Sequence, residues 1–233
     1  MRTPSRVPDR LLERLGPILA PADSPYHEET PRIQRRRRFI VTTTLVGGAV
    51  LLGFALTRPQ GSDAFYVLAG ILAGVWLVGG LLSGPVHLGR GRNGRRPMLW
   101  PALVGALAFG VFAVGAEAVS WIPSLHHAVD DVIKRADTGS RWLIDVITIV
   151  NGIGEEVFFR GSVYSAFAPR HPALWTTISY VIVTAAAGNL MLVLAAALMG
   201  TVFALERRAT RGILAPAITH VVWSTMMIFL LPR

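Results

Sequence analysis

The sequence predicts an all-α, polytopic helical membrane protein with about seven transmembrane helices. Three observations carry this. Of 233 residues, 52% are hydrophobic and only 16% are charged, against about 25% charged in an ordinary soluble domain. The mean hydropathy is +0.48. The apolar residues also fall in blocks long enough to cross a bilayer. Together these exclude a water-soluble globule. The absence of cysteine further excludes disulfides, thiolate metal sites and a cysteine nucleophile.

The elements follow in chain order. Residues 1–38 read as a cytosolic basic arm, partly disordered. Within it Leu11, Leu12, Leu15, Ile18 and Leu19 have the one-face spacing of a helix lying on a membrane surface, interrupted at Gly16 and Pro17. Residues 20–34 are rich in proline and acids. The run Arg35–Arg38 abuts the first apolar block as an anchor. Spans are expected at 39–57, 64–83 and 98–119, giving a three-helix N-terminal unit over 39–122. An external loop or interfacial helix is expected over 123–141. Four more spans, at 142–168, 173–188, 189–205 and 212–231, make up a core over 142–233. Only Gly188-Asn189 separates the fifth span from the sixth. The first 30 residues are polar and lack the apolar stretch of a cleavable signal.

The net charge is +9, carried by 22 Arg and a single Lys, Lys134. The arginines flank apolar blocks, so they are read as topology signals rather than as a nucleic-acid surface. Their excess over lysine also points to a GC-rich bacterial genome. Loops bearing Arg90, Arg92, Arg95 and Arg96, or Arg207, Arg208 and Arg211, alternate with charge-balanced ones. That pattern predicts a multi-pass protein of the cell membrane with a cytosolic N-terminus and an external C-terminus.

A carboxylate within a span needs a reason to be there. Glu117 and Asp145 sit near the outer ends of their spans and read as interfacial. Glu155 and Glu156 lie in the middle of the fourth span. About 100° of helix separates them, so they cannot share a face. Arg160, four residues after Glu156, shares its face and can pair with it. Glu155 is left without a local partner, in a position to serve as a general base. His220 lies inside the seventh span with Ser224 one turn further on, and Asn189 sits at the junction of the fifth and sixth. The pairs His126/Asp130 and His127/Asp131 have metal-ligand spacing, but that spacing is also what any exposed helical face produces. His87 and His171 fall in loops.

Two stretches resemble the CAAX protease and bacteriocin-processing (CPBP, or Abi) family of intramembrane proteases. Glu155-Glu156-Val-Phe-Phe-Arg160-Gly matches the family's EExxxR motif, ahead of a segment carrying Phe158, Phe159, Tyr164 and Phe167. Gly212-Ile-Leu-Ala-Pro216-Ala-Ile-Thr-His220 is similar to the family's final loop and helix. The resemblance covers about residues 140–231. The family's middle motif, FxxxH, finds its best match at Ala185 to Asn189, with Asn189 for His; the final His-x-x-x-Asn ends here in Ser224. Counted from the cytosolic ends at about 1.5 Å per residue, His220 lies roughly 12 Å deep and Asn189 roughly 25 Å. Either the fifth span ends elsewhere or Asn189 is outside the site.

The resemblance implies an intramembrane endopeptidase that hydrolyses a peptide bond near the cytosolic membrane surface, acting on a membrane-associated peptide or protein. Glu155 would activate water, Glu156 with Arg160 would orient it, and His220 would bind a metal or stabilise the oxyanion, with Asn189 and Ser224 at the remaining polar positions. The implied cofactor is either none or one divalent metal, zinc, on Glu155 and His220. Asn and Ser are poor zinc ligands, which favours the metal-free version. Two rivals stay open: an inactive scaffold or chaperone on the same fold, motivated by Asn189 and Ser224, and a small proton-coupled transporter in which Glu155 relays protons.

Overall fold

A computed structural model describes residues 30–59, 61–91, 94–120, 140–168 and 171–230. Among these residues there are seven helices and no strand: α1 (Pro31–Leu56), α2 (Asp63–Ser83), α3 (Leu99–Ser120), α4 (Arg141–Glu155), α5 (Pro172–Ala185), α6 (Leu190–Thr210) and α7 (Leu214–Leu230). Without a break, α4 runs on through a π-helical stretch, Glu156–Val163, and a last α-turn, Tyr164–Ala166. By length and composition α1, α2, α3 and α6 can each cross a membrane, and α5 and α7 are shorter apolar helices. The protein is therefore an all-α, multi-pass membrane protein. The surface-helix segment within residues 1–29 and the interfacial segment within 121–139, with its His/Asp pairs, lie outside the described residues.

Helix boundaries fall close to those expected from hydropathy, with one difference. The first helix starts at Pro31, whose fixed φ suits a first helical turn, so residues 31–34, expected in the proline- and acid-rich stretch, are helical and the Arg35–Arg38 anchor continues the same helix. Arg37 is 1% exposed and donates to Ser83 Oγ at 3.2 Å, while Arg36 lies 3.4 Å from the Leu82 carbonyl. Two guanidinium groups thus stand at the C-terminal end of α2, where one meets a carbonyl that carries partial negative charge.

Six helices close into a ring in the order α1, α2, α4, α7, α6, α5 and back to α1, with α3 against the outside of α7. Gly48 lets the α1 backbone approach the Trp76 ring of α2 directly; a Cβ there would overlap it. The first half of α4 forms part of the ring wall. Its π-helical half turns into the ring and fills it. Trp76, Phe158, Phe159 and Val163 are buried there, with ring centroids 5.1 to 5.4 Å apart among the three aromatics.

A π-helical stretch loosens the regular backbone ladder, so its carbonyls need donors from elsewhere. Thr176 Oγ1 donates to the Phe159 carbonyl at 2.8 Å, and Arg207 Nε donates to that of Arg160 at 2.8 Å. Ser162 Oγ ties the stretch to the Gly80 carbonyl at 2.8 Å.

The same end of the bundle is strapped by two crossing loops. Ile213 and Leu214 donate their N–H groups to the carbonyls of His87 and Leu88, and Arg90 N–H donates to Thr210 O, all at 2.9 to 3.0 Å. Gly89, at φ +82°, stands against Gly212 so closely that a Cβ on either would collide with the other's backbone.

Candidate functional site

Glu155 and Glu156 straddle the point where α4 changes from α- to π-helix, and they face different surroundings. Glu156 is fully buried. Its Oε1 accepts from Arg160 Nη1 at 3.0 Å and lies 3.0 Å from His220 Nδ1. Arg160, also fully buried, has its guanidinium carbon 4.7 Å from the Tyr180 ring centroid and 4.9 Å from that of Phe203, and Nη2 donates to the Gly200 carbonyl at 3.2 Å. Phe203 in turn stacks on the His220 ring, with centroids 4.8 Å apart. The expected Glu156–Arg160 pair is present, and His220 is drawn into it. The carboxylate orients the imidazole, holding one ring nitrogen so that the other is left to face outward.

Glu155 is half-buried and lines a cavity of about 570 Å³. Its partner comes from another helix: Tyr180 Oη donates to Glu155 Oε2 at 2.8 Å. His220, Asn151, Thr184 and Ser224 line the same cavity, and most of the remaining lining is aliphatic or aromatic. Gly152 packs directly on the imidazole; a Cβ there would stand 3.4 Å from Nε2. Asn151 Nδ2 donates to the carbonyls of Ala69 and Ile147, both at 3.0 Å, which fixes α4 against α2 one turn from Glu155.

The structure brings Glu155, Glu156, Arg160 and His220 together, and Ser224 beside them. Ser224 Oγ donates to the His220 carbonyl of its own helix at 2.8 Å, so its proton is engaged there. Asn189 is not brought to Glu155. It is the N-cap of α6, its Oδ1 accepting from Met191 N–H at 2.9 Å and Leu192 N–H at 3.2 Å. The turn at Gly188, φ +67°, keeps the expected end of the fifth span. Asn189 is not among the side chains that line the cavity with Glu155.

Tyr180 and Thr184 were missed in the sequence. They have the aromatic-x-x-x-polar spacing looked for at Ala185 to Asn189, but begin five residues earlier, and both face the cavity. Asp145 is corrected as well. It is 6% exposed and accepts from Thr225 Oγ1 on α7 at 2.9 Å, rather than sitting solvated at an interface. Glu117 is exposed on α3, as expected.

A zinc ion does not fit this donor set. Catalytic zinc takes about three protein ligands. Glu155 and His220 are the carboxylate and imidazole on the cavity, while Glu156 is occupied behind them. Among the described residues no cluster of three His, Cys, Asp or Glu side chains gathers.

These features define a membrane-embedded helical bundle with a buried Glu–Arg–His cluster beneath an apolar cavity. Residues 138–226 match the family model for Rce1-like proteins, type II CAAX prenyl endopeptidases. Over that segment the chain is similar to CAAX-type endopeptidases, which supports the resemblance to the CPBP/CAAX protease family. No curated protein and no solved structure matches the chain significantly.

Proposed function

We propose that the chain is an intramembrane endopeptidase of the CPBP/CAAX type that hydrolyses a peptide bond with water activated by Glu155. One observation carries this reading: two adjacent glutamates in one helix have divided roles, Glu156 locked to Arg160 and His220, and Glu155 on the cavity beside them.

In this mechanism Glu155 takes a proton from a water molecule, and the resulting hydroxide adds to the scissile carbonyl carbon. Tyr180 holds the second carboxylate oxygen and so fixes the direction of the first. With both ring nitrogens protonated, His220 donates Nδ1–H to Glu156 and Nε2–H to the developing oxyanion. Glu155 then returns its proton to the leaving nitrogen, the C–N bond breaks, and a carboxylic acid and an amine separate. Arg160 acts through Glu156, fixing the imidazole from behind. The substrate is a membrane-associated peptide or protein. The protein sits in the cell membrane with its N-terminus in the cytosol, a reading supported by the clustering of arginines at one end of the bundle.

The test is cleavage of a peptide library by detergent-purified protein, with and without a chelator, beside Glu155→Ala. The expected result is cleavage that survives the chelator and disappears in the variant. Strong inhibition by the chelator would overturn the metal-free mechanism. Failure of the native chain to cleave any peptide would support the inactive scaffold.

A further inference from the structure

One buried acid takes no part in the chemistry above. Glu206 lies in the last turn but one of α6 and is 4% exposed. Among the described residues it has no counter-ion. Its Oε1 lies 2.7 Å from Thr219 Oγ1 on α7, and its Oε2 is buried and meets no donor.

Thr219 is fully buried and shared among three helices. Its Oγ1 also lies 2.9 Å from the Pro101 carbonyl of α3. The approach of α3 is close here: a Cβ on Gly105 would stand 2.8 Å from the Thr219 carbonyl oxygen. Threonine has one hydroxyl proton. It cannot serve a carbonyl and a carboxylate together. Both short contacts are satisfied when the acid supplies the second proton. Glu206 then donates to Thr219 Oγ1, and Thr219 donates to Pro101 O.

The surroundings call for the same form. The charges that act on Glu206 are those of Glu156 and Arg160 on the π-helical stretch, and these two oppose each other in their own ion pair at 3.0 Å. Arg207, on α6 itself, is turned to the Arg160 carbonyl and the Tyr164 ring. The ionisable side chain of α5 is Tyr180, that of α7 is His220, and that of α3 is Glu117 near its other end. Tyr180 is bonded to Glu155 and His220 to Glu156. A carboxylate at 206 would therefore be buried without a counter-charge, which is costly.

Glu206 and Phe203 are three residues apart on α6 and share a face. Phe203 stacks on the His220 ring, with centroids 4.8 Å apart. Glu206 hooks Thr219, the residue before it. Neighbouring positions of α6 thus grip consecutive residues of α7. That grip sets the rotation and height of α7 at the point where His220 Nδ1 meets Glu156 at 3.0 Å. We propose that Glu206 is held as the neutral acid and is a positioning residue for His220, acting through Thr219. Its effect on rate rests on the peptidase reading; its hold on the imidazole does not.

The protonation is read by infrared spectroscopy of the native protein and of Glu206→Gln at neutral pH. Their difference should contain the C=O band of a protonated carboxyl, which moves in heavy water, and no carboxylate band. A carboxylate band in its place would overturn the neutral assignment. The positioning role is read from four variants. Glu206→Gln keeps a neutral donor for Thr219, and Glu206→Leu removes it. Thr219→Val removes the hydroxyl from the other side, and Thr219→Ser restores it. In protein carrying isotope-labelled histidine, the ring resonances lost in His220→Ala belong to His220. They should keep their native positions in Glu206→Gln and Thr219→Ser and be displaced in Glu206→Leu and Thr219→Val. Displacement in Glu206→Gln as large as in Glu206→Leu, or native positions in both Glu206→Leu and Thr219→Val, would overturn the proposal. Peptide cleavage should divide the same way. The first pair should keep kcat within about twofold of native, and the second should lose roughly tenfold with KM little changed, the size expected for one lost hydrogen bond. A native chain that cleaves no peptide would remove the peptidase reading, while the infrared band and the His220 resonances would still decide whether a neutral Glu206 holds the imidazole.

Discussion

At the arginine-rich end the six-helix ring is filled, and at the other end it is hollow. One helix makes both. As an α-helix, Arg141–Glu155 stays in the wall and leaves the interior empty; as a π-helix, Glu156–Val163 swings inward and packs every side chain out of contact with solvent. Neighbouring glutamates on either side of that change therefore have unlike tasks. Glu156 holds a buried cluster together, and Glu155 lines the cavity. The contrast teaches that a doubled acid motif need not mean two equivalent catalytic carboxylates.

The comparison breaks most visibly at Arg160. Arg160→Ala strands a buried carboxylate and should destabilise the protein by about 3–5 kcal/mol, measured by thermal or denaturant unfolding in detergent, and should abolish cleavage. Adding Glu156→Gln should recover stability but not activity. A double variant as unstable as the single one would show that the two side chains are not a pair.

On the hollow side the expected effects are kinetic. Tyr180→Phe removes a hydrogen bond to the Glu155 carboxylate, worth about 1.5–3 kcal/mol when one partner is charged. Peptidase assays should find kcat/KM lowered between about tenfold and a hundredfold. The same bond supports the fold, so the unfolding midpoint should fall by only a few °C, at about 2–4 °C per kcal/mol in a chain of this size, well short of the loss in Arg160→Ala. An equal loss of stability would assign Tyr180 to the filled half instead.

The smallest effect belongs to Asn189. As a helix cap its replacement by Ala should cost about 1 kcal/mol of stability and leave cleavage rates unchanged. Asn189→His should likewise leave activity unchanged. Activity raised by the imidazole would put residue 189 back in the site and contradict its position at the start of α6.

Much of this architecture is legible in the sequence, because hydropathy blocks and loop arginines report directly on the bilayer. The Gly188-Asn189 turn and the i,i+4 relation of Glu156 to Arg160 are local and could be read. What could not be read depends on other helices. Tyr180 meets Glu155 across the ring, Thr225 makes Asp145 a buried acceptor, and Leu82 with Ser83 receives two arginines of an anchor run at the end of α2. The π-helical stretch leaves no periodic mark, because all eight of its residues are buried and none contrasts with its neighbours. Reading Glu155 as the unpartnered acid was right about its own helix and incomplete about the fold. The expected site position at Asn189 followed motif spacing, whereas the side chains that packing brings to the cavity at that spacing are Tyr180 and Thr184.

The most direct test of the divided glutamates is to compare Glu155→Gln and Glu156→Gln in one experiment that records both unfolding and peptide cleavage. Glu155→Gln should keep native stability and lose roughly 10²–10⁴-fold in kcat, the usual contribution of a general base. Glu156→Gln should lose activity together with about 3 kcal/mol of stability, because Arg160 is left buried without its counter-charge. Two variants equally destabilised, or a Glu155→Gln protein that still cleaves at the native rate, would contradict the account.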